Sequence, residues 1–204
     1  MDTSLEGKAY LDSRQKQLLD AYGAHVLYAV AAPFLTMARL AVWAEDKGPT
    51  LIGLPRIGKD GKTFYQRKIR SMKPGSEHIP APVGPKVRDD PRITRVGRVV
   101  RKFSVDELPQ IGNIKRREMS LVGPRPKSPK EYGAYCELDP DFGPAYTLHL
   151  PGLTGLEQIN GRAGTTVEER IAHTKQYAEE ARLPLDLQVI CSTAKAVLTA
   201  NGAY

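Results

Sequence analysis

The chain is expected to be an α+β protein, predominantly α, in which a re-entrant membrane helix-break-helix precedes an interfacial domain with a small β element. Three observations predict this. An uncharged run from Ala21 to Ala38 is interrupted at Pro33. An Asp60-Gly61 turn sits between short apolar steps. Helical patterns with start signals recur from residue 93 onward. At 204 residues the chain is long enough for one compact domain with a good-sized core, while two would each be small. The expected division is an extension at 1–15, a membrane hairpin at 16–46 and one folded domain at 47–204. Apolar residues make up 41% and charged residues 26%, an ordinary balance that argues against disorder, and no fixed-period repeat suggests a solenoid.

The N-terminal run resumes after Arg39 through Leu40-Ala41-Val42-Trp43-Ala44. A span needs ~20 uninterrupted residues to bridge ~30 Å of hydrocarbon. Pro33 leaves arms of twelve (21–32) and eleven (34–44) residues, each only ~18 Å long at ~1.5 Å per residue. Proline removes a backbone donor and crowds the preceding turn, so a bend at Ala32-Pro33 is expected. Lys8, Arg14 and Lys16 precede the run, and Arg39, Lys47 and Arg56 follow it. Cations favour the cytoplasmic side, so both ends belong there, as in a hairpin that returns to the face it entered. A kinked complete span and a soluble amphipathic helix are the alternatives, and the alanine content and His25 argue for the latter. Asp20 directly before the run, with no small-residue cleavage site after it, argues against a secretory signal.

Between Lys47 and Met72, glycines, prolines and short apolar steps predict extended pieces joined at Lys59-Asp60-Gly61-Lys62. Residues 73–92 hold five prolines without periodicity and are expected to form a loop. Ile93 to Val100 predicts a helix, with Arg92, Arg95, Arg98 and Arg101 recurring every three residues along one side. Ser104-Val105-Asp106-Glu107 matches a capping box, so a helix should start at Ser104 and continue through Leu108, Ile111 and Ile114, with Pro109 tolerable only near its first turn. Further helices are expected from about Thr166 to Arg182 and from Leu185 to Thr199.

Net charge is +7, but the stretch from Arg56 to Lys102 alone carries +10, with fourteen cations against four acids. The chain is therefore built to meet anions: nucleic acid, lipid headgroups or substrate phosphates. Stacking aromatics there are limited to Phe64, Tyr65 and Phe103, which argues against single-stranded nucleic acid. Cys136 and Cys191 are 55 positions apart with no ligand-spaced partner, so neither a disulfide framework nor a zinc site is indicated. The four scattered histidines give no metal pair or Ser/His hydrolase pattern.

Asp106 and Glu107 are adjacent acids at an expected helix start, directly after the cationic stripe. Acids in that position commonly do no more than complement the helix dipole. The helix start, Arg101 and Lys102 all favour the ionised carboxylate, so a depressed Asp106 pKa is expected, suited to nucleophilic attack or Mg²⁺ binding. Attack on phosphorus needs cations to offset repulsion from phosphate oxygens. Arg125, between Pro124 and Pro126, is presented from a stiff loop suited to bidentate phosphate binding. Arg162 lies in Asn160-Gly161-Arg162-Ala163-Gly164, a turn with amides free to face an oxyanion.

Six ordered motifs carry a resemblance. They are Lys68-Ile69-Arg70-Ser71-Met72, Asp90-Pro91-Arg92-Ile93-Thr94-Arg95-Val96-Gly97, Ser104 through Gln110, Met119 through Pro126, Pro151-Gly152-Leu153-Thr154-Gly155, and Asn160-Gly161-Arg162. Together with the closing Gly202-Ala203-Tyr204, this set resembles the bacterial sugar transferases, monotopic polyprenyl-phosphate phosphoglycosyl transferases, from about Lys16 to the terminus. The resemblance implies that Asp106 attacks the sugar-bearing phosphate of a UDP-sugar, releases UMP, and passes the sugar phosphate to polyprenyl phosphate. It implies Mg²⁺ held by Glu107 and Asp106, and phosphate binding by Arg101, Arg125, Arg162, Arg98, Lys68 and Arg70. It also implies a helix break at Ala32-Pro33, and a monotopic protein at the cytoplasmic face of the bacterial inner membrane, bathed in membrane lipid. Nucleic acid is no partner in this reading, and homo-oligomerisation is left open. Two departures from the pattern stand out. Ala32 replaces the usual Ser before the proline, and Glu157 stands where an aromatic usually follows Pro-Gly-Leu-Thr-Gly-Leu, which bears on sugar or nucleotide specificity. The alternatives are a binding face for nucleic acid or acidic lipid on a membrane anchor, indifferent to loss of the acids, and a family member that keeps the fold without activity.

Overall fold

A computed structural model describes residues 3–76, 90–160 and 165–198. The expected α+β class is found, mostly helical with two small sheets. A short helix, α1 (Thr3–Leu11), leads into α2 (Arg14–Asp46), which opens on Ser13, whose hydroxyl accepts from the Lys16 amide, and closes on a left-handed Lys47.

α2 is one 33-residue helix with Pro33 inside it, so the two arms expected on either side of Ala32-Pro33 are joined. The packing accounts for this. Ala24, Ala31, Ala38 and Val42 form a buried stripe spaced by seven, seven and four residues, a pattern that keeps one helix face on its partner. Ala24 and Ala31 join Ile111, Ile114, Leu121 and Leu156 in the main core. Ala38 and Val42 pack with Ile69 and Val100. Pro33 is on the exposed side, so the hydrogen bond it forfeits lies away from this seam. Both halves of α2 thus lie along the same body. Their outward face exposes Tyr22, Val26, Val30, Phe34, Met37, Leu40 and Trp43, and α2 is long and apolar enough to cross a membrane.

The expected hairpin is present. β1 (Leu51–Ile57) and β2 (Thr63–Ile69) pair antiparallel, with Leu51 opposite Ile69 and Ile57 opposite Thr63. The turn between them holds Asp60 and Gly61 at positive φ, 57° and 72°, as an Asp-Gly turn requires. A bridge between Met72 and Ile93 closes the base of the following loop, most of which, 77–89, lies outside the described residues. α3 (Arg95–Lys102) is capped by the Thr94 hydroxyl, which accepts from the Gly97 amide at 2.9 Å.

The helix expected from Ser104 is corrected. Residues Val105–Gln110 form a 3-10 turn, and the α-helix, α4 (Ile111–Lys115), begins only after it. Ser104 sits at φ 54° and its hydroxyl caps nothing, because the residue terminates α3, with its amide donating to the Arg101 carbonyl at 3.0 Å. An N-cap needs an extended backbone, which this conformation excludes.

Two strands too short to announce themselves, β3 (Ser120–Val122) and β4 (Gly152–Thr154), pair in parallel. Between them run α5 (Pro129–Leu138) and α6 (Phe142–Thr147), held with Ile171 by an aromatic cluster of Tyr135, Phe142 and Tyr146. After β4 come α7 (Leu156–Asn160), α8 (Val167–Glu180) and α9 (Leu183–Leu198). The last two match the helices expected from sequence. α8 opens on a true capping box in which Thr166 and Glu169 exchange hydrogen bonds.

Candidate active site

Asp106 and Glu107 lie on the 3-10 turn between α3 and α4, which packs on β2 and on α2. Alternation along β2 points Gln66 and Lys68 to the same face, and there Lys68 Nζ donates to Glu107 Oε1 at 2.9 Å. On the other side, α3 lies against the chain at Ser71, and Gly97 makes this approach feasible, because a Cβ there would collide with the Ser71 carbonyl. The contact brings Arg101 Nε to Ser71 Oγ at 2.9 Å, close enough for its charge to act on Asp106.

A cleft beside this turn is lined by Arg56, Gln66, Lys68, Glu107, Gln110 and Arg125, among others. Arg125 arrives through the β3–β4 pairing. Gly123 N donates to the Thr154 carbonyl and Gly152 N to the Pro124 carbonyl, so Gly-Pro-Arg-Pro lies against Pro-Gly-Leu-Thr-Gly. Glycine is needed at both contacts: a Cβ at Gly123 would stand 2.5 Å from the Leu150 carbonyl, and one at Gly152 would collide with Gly123. A second, wider cleft lined by Lys59, Lys62, Arg67, Arg116 and Arg117 is also basic, but Glu107 lines only the first.

The expected depression of the Asp106 pKa is corrected. Burial raises it, Lys68 and Arg101 pull it down, Glu107 pushes it up, and the net direction is upward. Asp106 is only 9% exposed, and lost hydration of the charged form outweighs the neighbouring cations. Among the described residues no cluster of three or more His, Cys, Asp and Glu could cage a metal. Two adjacent carboxylates nonetheless fit Mg²⁺, which keeps several waters and completes its shell with substrate phosphates.

The other residues singled out from sequence divide. Arg70 is committed elsewhere: it grips Asp46 bidentately, Nη1–Oδ2 2.6 Å and Nη2–Oδ1 2.5 Å, tying the end of α2 to the end of β2. Those bonds hold the Asp46 carboxyl down at about 2. Its proposed phosphate contact is therefore replaced by a structural one. Arg98 projects from the exposed side of α3, and Arg92 pairs with Asp90 at 2.6 Å. Arg162 and the closing Gly202-Ala203-Tyr204 lie outside the described residues. Glu157, the departure from pattern, is buried, with Lys127 Nζ at 2.8 Å and Arg125 and Arg170 at 4.0 and 3.8 Å. It is the counter-ion of a cationic cluster behind the Arg125 loop.

Sequence reasoning missed Arg56, Gln66, Gln110 and Glu131 as cleft residues. For Gln110 a signal existed: it lies three residues after Glu107, the spacing that returns to one face of a 3-10 turn.

Comparison with known proteins bears on the whole chain. The bacterial sugar transferase family matches residues 11–200. The UDP-glucose:undecaprenyl-phosphate glucose-1-phosphate transferase of Caulobacter vibrioides is 40% identical over 199 residues, covering 93% of this chain and 72% of that protein. The undecaprenyl-phosphate galactose phosphotransferase of Salmonella typhimurium is 36% identical over 93% of this chain, but this chain spans only 41% of its length. The exopolysaccharide production protein ExoY of Rhizobium meliloti is 35% identical, over 93% of this chain and 88% of its own.

Proposed function

This chain belongs to the bacterial sugar transferase family, and from that premise we propose that it transfers a sugar 1-phosphate from a UDP-sugar to polyprenyl phosphate, with Asp106 as nucleophile. The observation that carries the reading is a buried Asp106 beside Arg101 and a Lys68–Glu107 ion pair, the pair lining a cleft that Arg125 also lines.

The chemistry runs in two balanced displacements. Ionised Asp106 attacks the sugar-bearing phosphorus. The bond from that phosphorus to the oxygen bridging to the uridylyl phosphate breaks, UMP leaves, and the sugar phosphate stays as an acyl phosphate on Asp106. A phosphate oxygen of the polyprenyl carrier then attacks the same phosphorus, the aspartyl bond breaks, and the carboxylate is regenerated. A covalent relay suits substrates that arrive from two phases, one from water and one from lipid. Lys68, Arg101 and Arg125 supply fixed positive charge where the transferring phosphoryl group accumulates negative charge. Arg162 is proposed to add to it. Mg²⁺, held by Glu107 and Asp106, would neutralise phosphate charge when bound.

The outward apolar face of α2 is proposed to lie in the cytoplasmic leaflet of the inner membrane. Because both halves of the helix pack along one body, a monotopic placement is favoured over a span, whose far end would stand clear of that body. The likeness to ExoY suggests a product destined for exopolysaccharide or a related glycoconjugate.

The test is nucleotide release. Purified full-length chain with Mg²⁺, UDP-glucose or UDP-galactose, and undecaprenyl phosphate should liberate UMP, and Asp106→Asn should lose at least about 10³-fold in rate. UMP release at equal rates by the two proteins would remove Asp106 from the mechanism, and sugar transfer accompanied by UDP release would replace it with a different reaction.

A further inference from the structure

Arg56, Gln66 and Gln110 form a hydrogen-bonded row along the cleft. Arg56 Nε donates to Gln66 Oε1 at 2.9 Å, and Gln66 Nε2 donates to Gln110 Oε1 at 2.9 Å. A guanidinium carries donors only. The atom of Gln66 that meets Arg56 must therefore be its oxygen, its nitrogen must turn to Gln110, and Gln110 must answer with oxygen. Charge-fixed donation at one end thus sets the direction of both amides.

The consequence falls on the last atom in the row. Gln110 Nε2 is buried and meets no acceptor among the described residues, in a side chain only 1% exposed that lines the cleft next to Glu107 and Lys68. Turning the amide over would not help, since it would set two N–H₂ groups against each other. A buried donor held in this way is costly to leave unmet. The cations around it suit phosphate charge, whereas an uncharged amide donor suits any oxygen acceptor, charged or neutral.

We infer that Gln110 is a substrate-binding residue whose Nε2, oriented by the Arg56–Gln66 row, donates to an oxygen of the sugar phosphate, either a phosphoryl oxygen or a sugar hydroxyl. The inference rests on the reading that this cleft takes a nucleotide sugar. Gln66 and Arg56 are then positioning residues that act through Gln110.

Two substitutions separate binding from folding. Gln110→Glu keeps an oxygen for Gln66 Nε2 to meet and removes the N–H₂; Gln110→Met removes both. Affinities for UDP-glucose, UDP-galactose and UMP are measured by calorimetry at pH 8, without acceptor lipid, on the full-length chain carrying Asp106→Asn so that no adduct forms, with Gln110 intact or substituted, alongside melting curves. Both variants should bind at least one UDP-sugar roughly tenfold or more weakly, the loss of about one good hydrogen bond. Weakened UDP-sugar binding with UMP binding unchanged places the acceptor on the sugar phosphate, whereas a parallel loss for UMP places it on the uridylyl phosphate and overturns the inference. Unchanged affinity for all three ligands in a cooperatively melting Gln110→Glu protein overturns the inference and leaves the proposed function standing. Failure of the Gln110-intact protein to bind any of the three overturns both. A measurement on the unsubstituted protein stands beside these: the Gln110 side-chain amide resonance should shift on addition of the UDP-sugar, and an unmoved resonance under saturating ligand contradicts the inference even if neither variant folds.

Discussion

At the scale of single residues, Asp106 is a contest between charge and burial. Lys68 and Arg101 favour its ionised form, yet desolvation raises its pKa. For an acid whose folded pKa lies above its unfolded one, the folded state holds the proton more tightly. Stability is then greatest below the usual carboxylate range and is lost as pH rises through the folded pKa. The ionised Asp106 carboxylate is therefore expected to weaken the fold at pH 8. Asp106→Asn should melt at a higher temperature than wild type at pH 8, and the gap should close as pH falls toward 4; a lower melting temperature for the variant at pH 8 would contradict this. The identity of the acids, of Lys68, Arg101 and Arg125, was legible in ordered motifs. The sign of the shift was not, because neighbouring charges can be seen in a sequence and burial cannot. Arg70 was misread for a related reason: its partner Asp46 lies 24 positions away.

At the scale of elements, local signals served where nothing long-range competed with them. The Asp60-Gly61 turn, α8 and α9 follow from turn chemistry, capping and periodicity. The same Ser-x-x-Glu signal misled at Ser104, where the backbone had to close α3 first, while the box at Ser128, which opens α5, is real. α2 shows the larger effect. A proline that would break an isolated helix is accommodated when seam residues on both sides of it are buried. Ala31, 4% exposed and two residues before Pro33, carries that seam. Ala31→Asp would bury an unpaired carboxylate there and should destabilise the protein by about 3 kcal/mol or more, read as a lowered melting temperature. Phe34→Asp, on the exposed face, should leave the melting temperature in detergent nearly unchanged while weakening membrane association.

At the scale of the whole molecule, distant parts of the chain are joined at one buried cluster. Lys16 Nζ meets Asp186 Oδ2 at 2.7 Å and the Val122 carbonyl at 3.0 Å, and the hydroxyls of Tyr10 and Tyr177 donate to the Asp186 carboxylate, each at 2.8 Å. The start of α2, the end of β3 just before the Arg125 loop, and α9 are thereby fixed to one another. No local pattern announces such a cluster, nor the parallel pairing of β3 with β4, and both were illegible in sequence for that reason. They set the geometry in which the acid-bearing turn packs against α2, the helix whose other face is apolar. A site so placed can take a sugar phosphate from a water-borne donor and hand it to a lipid-borne acceptor, provided the sugar phosphate rests on the protein in between. Intact-protein mass spectrometry after brief exposure to UDP-sugar and Mg²⁺, with polyprenyl phosphate withheld, reads that directly. Wild type should gain the mass of one phosphohexose, mapped by peptide fragmentation to Asp106, and lose it on addition of polyprenyl phosphate. UMP release with the protein mass unchanged throughout would contradict the relay.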